Sequence, residues 1–187
     1  LFIVIFYHEV AFSHSFTGMK GYYDGISHPV IGLDHFLAMI SVGIISAQIG
    51  GKAIWTVPST FVFIMIIGGV FGVYLSGIEH VIIEYVIILS VILLGLGIAV
   101  QGKLTVFITL IFVGIFGFCH GIAHGLEMPN AANPLYFALG FATGTTTLHL
   151  FGVGIGYYAI KTKITSFLLR FTGFLFSVYG VYLIFSI

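Results

Sequence analysis

Two short stretches of this chain group histidines with carboxylates inside otherwise apolar sequence. Their ionisable members are His28, Asp34, His35, His120, His124 and Glu127. Imidazole and carboxylate ligands without a thiolate cluster suit divalent nickel, cobalt or zinc better than copper(I) or magnesium. The chain has one cysteine, Cys119, which excludes a multi-thiolate site and an intrachain disulfide. The pattern therefore predicts a transition-metal site, and it leaves the choice among these three metals open.

The composition places these residues in a membrane. Apolar residues make up 59% of the 187 positions and charged residues 6%, and the mean hydropathy is +1.19. A soluble domain of this size could not carry so apolar a surface. The net charge is zero and there is no basic or acidic run, so nothing points to a nucleic-acid partner. Eight histidines in such a chain are unusual, because ionisable groups at bilayer depth are costly and mark functional sites.

Apolar runs of membrane-crossing length predict an all-α polytopic membrane protein with six transmembrane helices and short loops. The first helix is expected to begin at Pro29, where the missing N–H costs nothing. Glycines spaced four residues apart, such as Gly68 with Gly72, predict close helix packing. The six expected spans cover residues 29–48, 53–76, 79–101, 103–124, 134–160 and 164–187.

The N-terminal residues resemble the end of a secretory signal. Ala11, Phe12 and Ser13 fit the small-x-small pattern of a signal-peptidase site before His14. We therefore expect residues 1–13 to be the remnant of a cleaved signal and residues 14–187 to form a single membrane domain.

Orientation follows from the lysines of the connections after the first, third and fifth spans. These residues are Lys52, Lys103, Lys161 and Lys163. The positive-inside rule makes that side cytoplasmic, so the mature N-terminus and the C-terminus are expected outside. In a bacterium, the corresponding location is the cytoplasmic (inner) membrane.

Depth along the helices predicts which groups meet. At 1.5 Å per residue, Asp34 and His35 lie roughly 8–10 Å in from the outer surface and Glu84 about 8 Å in. His120 lies about 6 Å in from His124, so three helices are expected to present ligands at one level. His149 lies roughly 22 Å from Pro134, past the midplane, where it is expected to form a second station. On an ideal helix, His28 and His35 would share one face.

Together, these motifs resemble the HupE/UreJ family of small nickel/cobalt permeases. The resemblance rests on His-Pro-x-x-Gly-x-Asp-His at residues 28–35 and on His-Gly-x-Ala-His-Gly-x-Glu-x-Pro at residues 120–129, and it also includes Glu84 with Ser90 and Leu148 with His149. It covers nearly all of residues 14–187. It implies transport of nickel or cobalt into the cell, rather than an enzyme activity, for maturation of metalloenzymes such as hydrogenase or urease. It also implies a histidine near the mature N-terminus, which here is His14 and which would capture the ion.

Two other functions fit parts of the pattern. Three histidines, a carboxylate and a metal-bound water would also suit an intramembrane zinc hydrolase, with Glu127 or Asp34 as the general base. Against this reading, no His-Glu-x-x-His motif occurs, and the polar groups continue inward to His149. The third possibility is a redox or proton-conducting subunit with haem on paired histidines. The oligomeric state is not indicated by the sequence.

Overall fold

The computed structural model describes residues 21–75, 80–101, 104–128 and 133–186, and every regular element among them is an α-helix. The expected signal remnant at residues 1–13 and the predicted ligand His14 lie outside the described residues. The helices are α1 (Tyr22–Ile31), α2 (Leu33–Ile49), α3 (Ala53–Tyr74), α4 (His80–Val100), α5 (Val106–Leu126), α6 (Pro134–Ala159) and α7 (Lys163–Ile184).

Five helices, α3 to α7, are long and apolar enough to cross a membrane, and α1 with α2 provides a sixth span if the pair is counted as one. The all-helical prediction with short connections is therefore confirmed. Helix ends agree with the expected spans to within three residues for α3 to α7. Asn133 explains the sharp start of α6, since its side chain accepts the N–H groups of Leu135 and Tyr136.

The first predicted span is wrong in one respect, because it is not a single helix. Helices α1 and α2 meet at an angle of 84° on either side of Gly32. Gly32 has an extended backbone (φ −73°, ψ 111°), which ends α1, and its carbonyl accepts the N–H of Phe36, which begins α2. Pro29 consequently lies inside α1 rather than at the first position of a helix.

Glycine contacts join the helices in pairs, as the four-residue spacing predicted. A Cβ on Gly68 would overlap the backbone of Phe118, and a Cβ on Gly121 would overlap that of Met65, so α3 and α5 touch at backbone distance. Equivalent contacts join α1 to α6, α2 to α6 and α4 to α7. Their glycines are Gly25, Gly43, Gly95, Gly140, Gly152 and Gly173.

These contacts also give the helix directions. Gly152 meets Ile40 and Gly156 meets Ile44, so α2 and α6 run the same way. Arg170 near the start of α7 donates to the carbonyl of Ala99 near the end of α4, so these two helices are antiparallel. Helix α2 lies in the middle of the bundle and is buried on nearly all sides from residue 37 to residue 47.

The described charges separate to opposite ends of this bundle. The carboxylates lie near the start of α1, α2 and α4 and the end of α5. The lysines and the arginine lie after α2 and around the start of α7. The residues at the first end are Asp24, Asp34, Glu84 and Glu127, and those at the second are Lys52, Lys161, Lys163 and Arg170.

Candidate metal centre

Three imidazoles from three helices converge where α1 bends into α2. His28 lies in α1, His35 in the first turn of α2 and His124 in the last turn of α5. Each offers one ring nitrogen, and these three nitrogens lie within 4.8 Å of one another. His35 and His124 are buried. We call these three residues the histidine cluster.

The bend at Gly32 brings His28 into the histidine cluster. In a straight helix, His28 and His35 would stack about two turns apart, roughly 10 Å along the axis. Here their ring centroids are 5.7 Å apart, and His28 lies 4.9 Å from His124. The prediction that the two histidines share one helical face is therefore wrong, although the two imidazoles do meet.

Asp34 holds His35 in a defined orientation. The Nδ1 of His35 donates to the Asp34 Oδ1 over 3.1 Å, and the same oxygen accepts the His35 backbone N–H at 2.8 Å. With its proton on Nδ1, the neutral ring carries a lone pair on Nε2, and that nitrogen is buried with no hydrogen-bond partner among the described residues. Asp34 thus acts on the cluster through His35.

Glu127 orients the imidazole of His28 as Asp34 orients that of His35. Glu127 lies just beyond the end of α5, and its Oε2 is 2.7 Å from the Nε2 of His28. Burial by itself would raise the pKa of the Glu127 carboxyl, but the hydrogen bond from His28 and the electrostatic attraction of His28 and His35 outweigh it, so this pKa is lowered. The negative charge of Glu127 therefore lies directly beside the cluster.

His120 lies one turn deeper than His124 on α5 and is fully buried. Its Nδ1 donates to the Phe116 carbonyl over 2.9 Å, which leaves the lone pair on an Nε2 without a described partner. Its ring centroid is 5.1 Å from that of His35. The predicted convergence of His35 with His120 is thus present in the structure.

His149 is separate from the cluster. It lies in the middle of α6, is fully buried, and neither ring nitrogen has a hydrogen-bond partner among the described residues. The ring packs against Phe61 of α3, with 5.1 Å between centroids, and Phe61 also packs against His120 at 5.5 Å.

The structure does not bring Glu84 into the cluster, since its side chain is exposed on α4. The three threonines before His149 differ in their hydrogen-bond partners. Thr146 and Thr147 donate to the carbonyls four residues earlier and are exposed, while buried Thr145 donates to the sulfur of Met65.

Aromatic rings form a wall of the cluster that sequence reasoning missed. Phe141 stacks on His124 at 4.9 Å with 10° between the planes, and Phe137 lies edge-on to His28. These phenylalanines are four residues apart on α6, a spacing that could have indicated one shared face. No comparable signal points to Phe61, one of 20 phenylalanines in the chain.

The donor set fits a divalent transition metal. Metal–nitrogen bonds of about 2 Å place the nitrogens of a tetrahedral site about 3.3 Å apart, so small side-chain rotations would close the cluster around an ion. Carboxylates beside His35 and His28 supply the outer hydrogen bonds that orient ligating imidazoles. Buried imidazole nitrogens without partners are otherwise costly, by about 1–3 kcal/mol each.

The fold and the site together define a multi-span helical membrane protein with a buried imidazole cluster. The family model described as "HupE / UreJ protein" matches residues 2–183. Protein HupE of Rhizobium leguminosarum bv. viciae is 40% identical over 147 residues, which cover 79% of this chain and 76% of the relative. The chain belongs to the HupE/UreJ family, as its motifs predicted. No solved structure matches it.

Proposed function

We propose that this protein carries divalent transition-metal ions across the membrane, with nickel as the principal ion and cobalt as a second. The observation that carries the proposal is the histidine cluster, whose three ring nitrogens from three helices lie within 4.8 Å of one another. Membership of the HupE/UreJ family supports it. Zinc also suits the same ligands and is expected to compete.

The proposed route begins at the acidic end of the bundle. Asp24, Asp34, Glu84 and Glu127 lie at this end and attract cations, and His14 would capture the ion before the cluster takes it. His28, His35, His120 and His124 then replace water around the ion, and His149 receives it further along.

The direction of transport follows from the charges. Lys52, Lys161 and Lys163 lie at the end opposite to the cluster, which the positive-inside rule assigns to the cytoplasm. The cluster then faces the exterior of a bacterial inner membrane, both mature termini lie outside, and residues 1–13 are a cleaved signal. The ion delivered inside would supply metalloenzymes such as hydrogenase or urease.

Uptake of ⁶³Ni into cells tests this proposal. Cells that produce His35→Ala or His124→Ala should accumulate no more nickel than cells without the protein, because each change removes a ligand of the cluster. Thr172→Ala is a suitable control, since Thr172 is exposed on α7 and bonds only to its own helix. Immunoblots of membrane fractions should show equal amounts of the variants. Undiminished uptake by both histidine variants would refute the proposal.

The zinc-hydrolase alternative needs a carboxylate that can act on a metal-bound water. In this structure Glu127 bonds to His28 and Asp34 bonds to His35, so each nearby carboxylate orients an imidazole. This arrangement favours transport over hydrolysis. Cleavage of a membrane-embedded amide by the purified zinc-loaded protein would support the alternative instead.

A further inference from the structure

Phe61 is the one side chain whose ring contacts both His120 and His149 among the described ring pairs. Its centroid lies 5.5 Å from that of His120 and 5.1 Å from that of His149, and its own side chain is fully buried. The two imidazoles are therefore no further apart than these two distances combined. His120 is in turn 5.1 Å from His35 of the histidine cluster.

The imidazoles on both sides of Phe61 have nitrogens that are buried and unpartnered. Among the described residues, His120 has an unpartnered Nε2 and His149 has two such nitrogens. Thr145, one turn before His149 on the same helix, donates to the sulfur of Met65. Groups that serve only packing are normally paired in an interior of this kind. The free nitrogens of His149 therefore indicate a ligand that binds imidazole, such as a divalent transition-metal ion.

The helix backbones beside Phe61 are in direct contact. A Cβ on Gly117 would come within 2.9 Å of the Phe61 carbonyl oxygen, and one on Gly121 would overlap the carbonyl of Met65. Helices α3 and α5 thus touch at backbone distance directly at this level. Motion here is consequently easier for the Phe61 side chain than for the helix that carries it.

We propose that Phe61 is a gate between two ion stations, an outer one at the histidine cluster with His120 and an inner one at His149. This inference rests on the proposed transport function. Rotation of the Phe61 ring would let a partly dehydrated divalent cation pass from His120 to His149, and return of the ring would separate the two stations. Hydrophobic constrictions also gate other ion pathways, by excluding water.

The proposal predicts how nickel flux depends on the size of residue 61. In proteoliposomes that contain the full chain, the initial rate of ⁶³Ni entry should rise by about threefold or more in Phe61→Ala and fall similarly in Phe61→Trp. The nickel concentration for half-maximal rate should stay near that of the unmodified protein, because the histidine cluster is unchanged. Phe71→Ala is the control, as Phe71 is also on α3 but packs on Phe118 away from the histidines.

Equilibrium dialysis with ⁶³Ni separates loss of folding from loss of gating. Every residue-61 variant should still bind nickel, and His149→Ala should bind nickel while its entry rate falls at least tenfold. A rate that is independent of the size of residue 61, or one that falls in Phe61→Ala while binding persists, would overturn the gate. If the unmodified protein admits no nickel into the proteoliposomes, the proposed transport function itself is refuted.

Discussion

At the scale of single residues, the site consists of imidazoles whose orientation is set by neighbouring acceptors. Asp34 accepts a hydrogen bond from the Nδ1–H of His35, and the Phe116 carbonyl accepts one from the Nδ1–H of His120. In both rings the lone pair on Nε2 is therefore free to bind a metal. Glu127 holds His28 from the other side of the cluster. Such outer hydrogen bonds raise the basicity of a ligand and reduce the reorganisation needed on binding.

The role of Glu127 can be tested against that of Glu84. Glu127→Gln removes the charge beside His28, and we expect it to weaken nickel binding about 10- to 100-fold in equilibrium dialysis with purified protein. Glu84→Gln makes the same chemical change on an exposed part of α4 and should leave affinity within about twofold of the unmodified value. Equal losses in the two variants would show that Glu84 also acts at the site, as the sequence motif suggested.

We expect His149 to lower the free energy of unfolding of the metal-free protein. Its two ring nitrogens are buried without described partners, so His149→Leu should raise the free energy of unfolding by about 1–3 kcal/mol. The measurement is the thermal unfolding midpoint of metal-free protein in detergent, which should rise. Ser90→Ala is the control that should show no such gain, because the Ser90 hydroxyl is already bonded to the Ile87 carbonyl. A lower midpoint for His149→Leu would contradict this account.

At the scale of helices, the bundle is held by close backbone packing at glycines. In lipid, apolar side chains gain little from facing each other, so close approach of backbones supplies much of the attraction between helices. At the contact of α3 with α5, Phe61 belongs to α3, and His120 and His124 belong to α5. Its geometry therefore decides the spacing of the site.

Two glycines of α5 allow a direct comparison. Gly121→Ala should lower the unfolding midpoint strongly, because its Cβ would overlap the backbone of Met65 and Gly69. Gly114→Ala on the same helix meets nothing within 4 Å and should be neutral or stabilise by up to about 1 kcal/mol through helix propensity. The prediction fails if the two substitutions shift the midpoint equally.

The bend at Gly32 is the second decisive element. A Cβ at this position would lie 3.1 Å from the Asp34 Oδ1 and 3.3 Å from the His35 Nδ1, while the backbone angles suit any residue. Gly32→Ala should therefore keep the fold but displace the Asp34–His35 pair, with a loss of nickel affinity of about tenfold. Dialysis combined with a thermal unfolding scan separates these effects, and unchanged affinity would show that the pair tolerates the methyl group.

At the scale of the whole molecule, the separated charges support the proposed orientation of the bundle. Acidic residues lie at the end of the histidine cluster and basic residues at the other, which suits an exterior cluster that collects cations and a cytoplasmic end that follows the positive-inside rule. The many large apolar side chains on the outer faces of α3 to α7 then meet lipid.

Cysteine labelling tests this orientation. In a Cys119→Ser background, Leu135→Cys at the start of α6 should react with an impermeant maleimide on intact cells. Ile164→Cys at the start of α7 should react only after the membrane is opened. Leu135 is 66% exposed and Ile164 is 74% exposed. Neither position is shielded by neighbouring helices, so a difference in labelling reports the side of the membrane. The reverse pattern of labelling would place the cluster on the cytoplasmic side.

Helices α3 to α7, the histidines of the cluster and the family could all be predicted from the amino-acid sequence. Helix formation depends on local apolar runs and caps, which is why α3 to α7 were predicted within three residues at each end. The histidine and carboxylate types also indicated a metal site, because such groups are costly in lipid without a function.

The way in which these residues meet depends on the packing of the helices. The 84° bend at Gly32, the exposure of Glu84 and the contact of Phe61 with two imidazoles all depend on which helices pack together and in which rotation. A local pattern carries little of that information in a membrane protein, because nearly every face of every helix is apolar and small residues far apart in the chain select the partners. The residue types that meet at the site were thus predictable from composition and spacing, while the geometry of the site arose from contacts between distant segments.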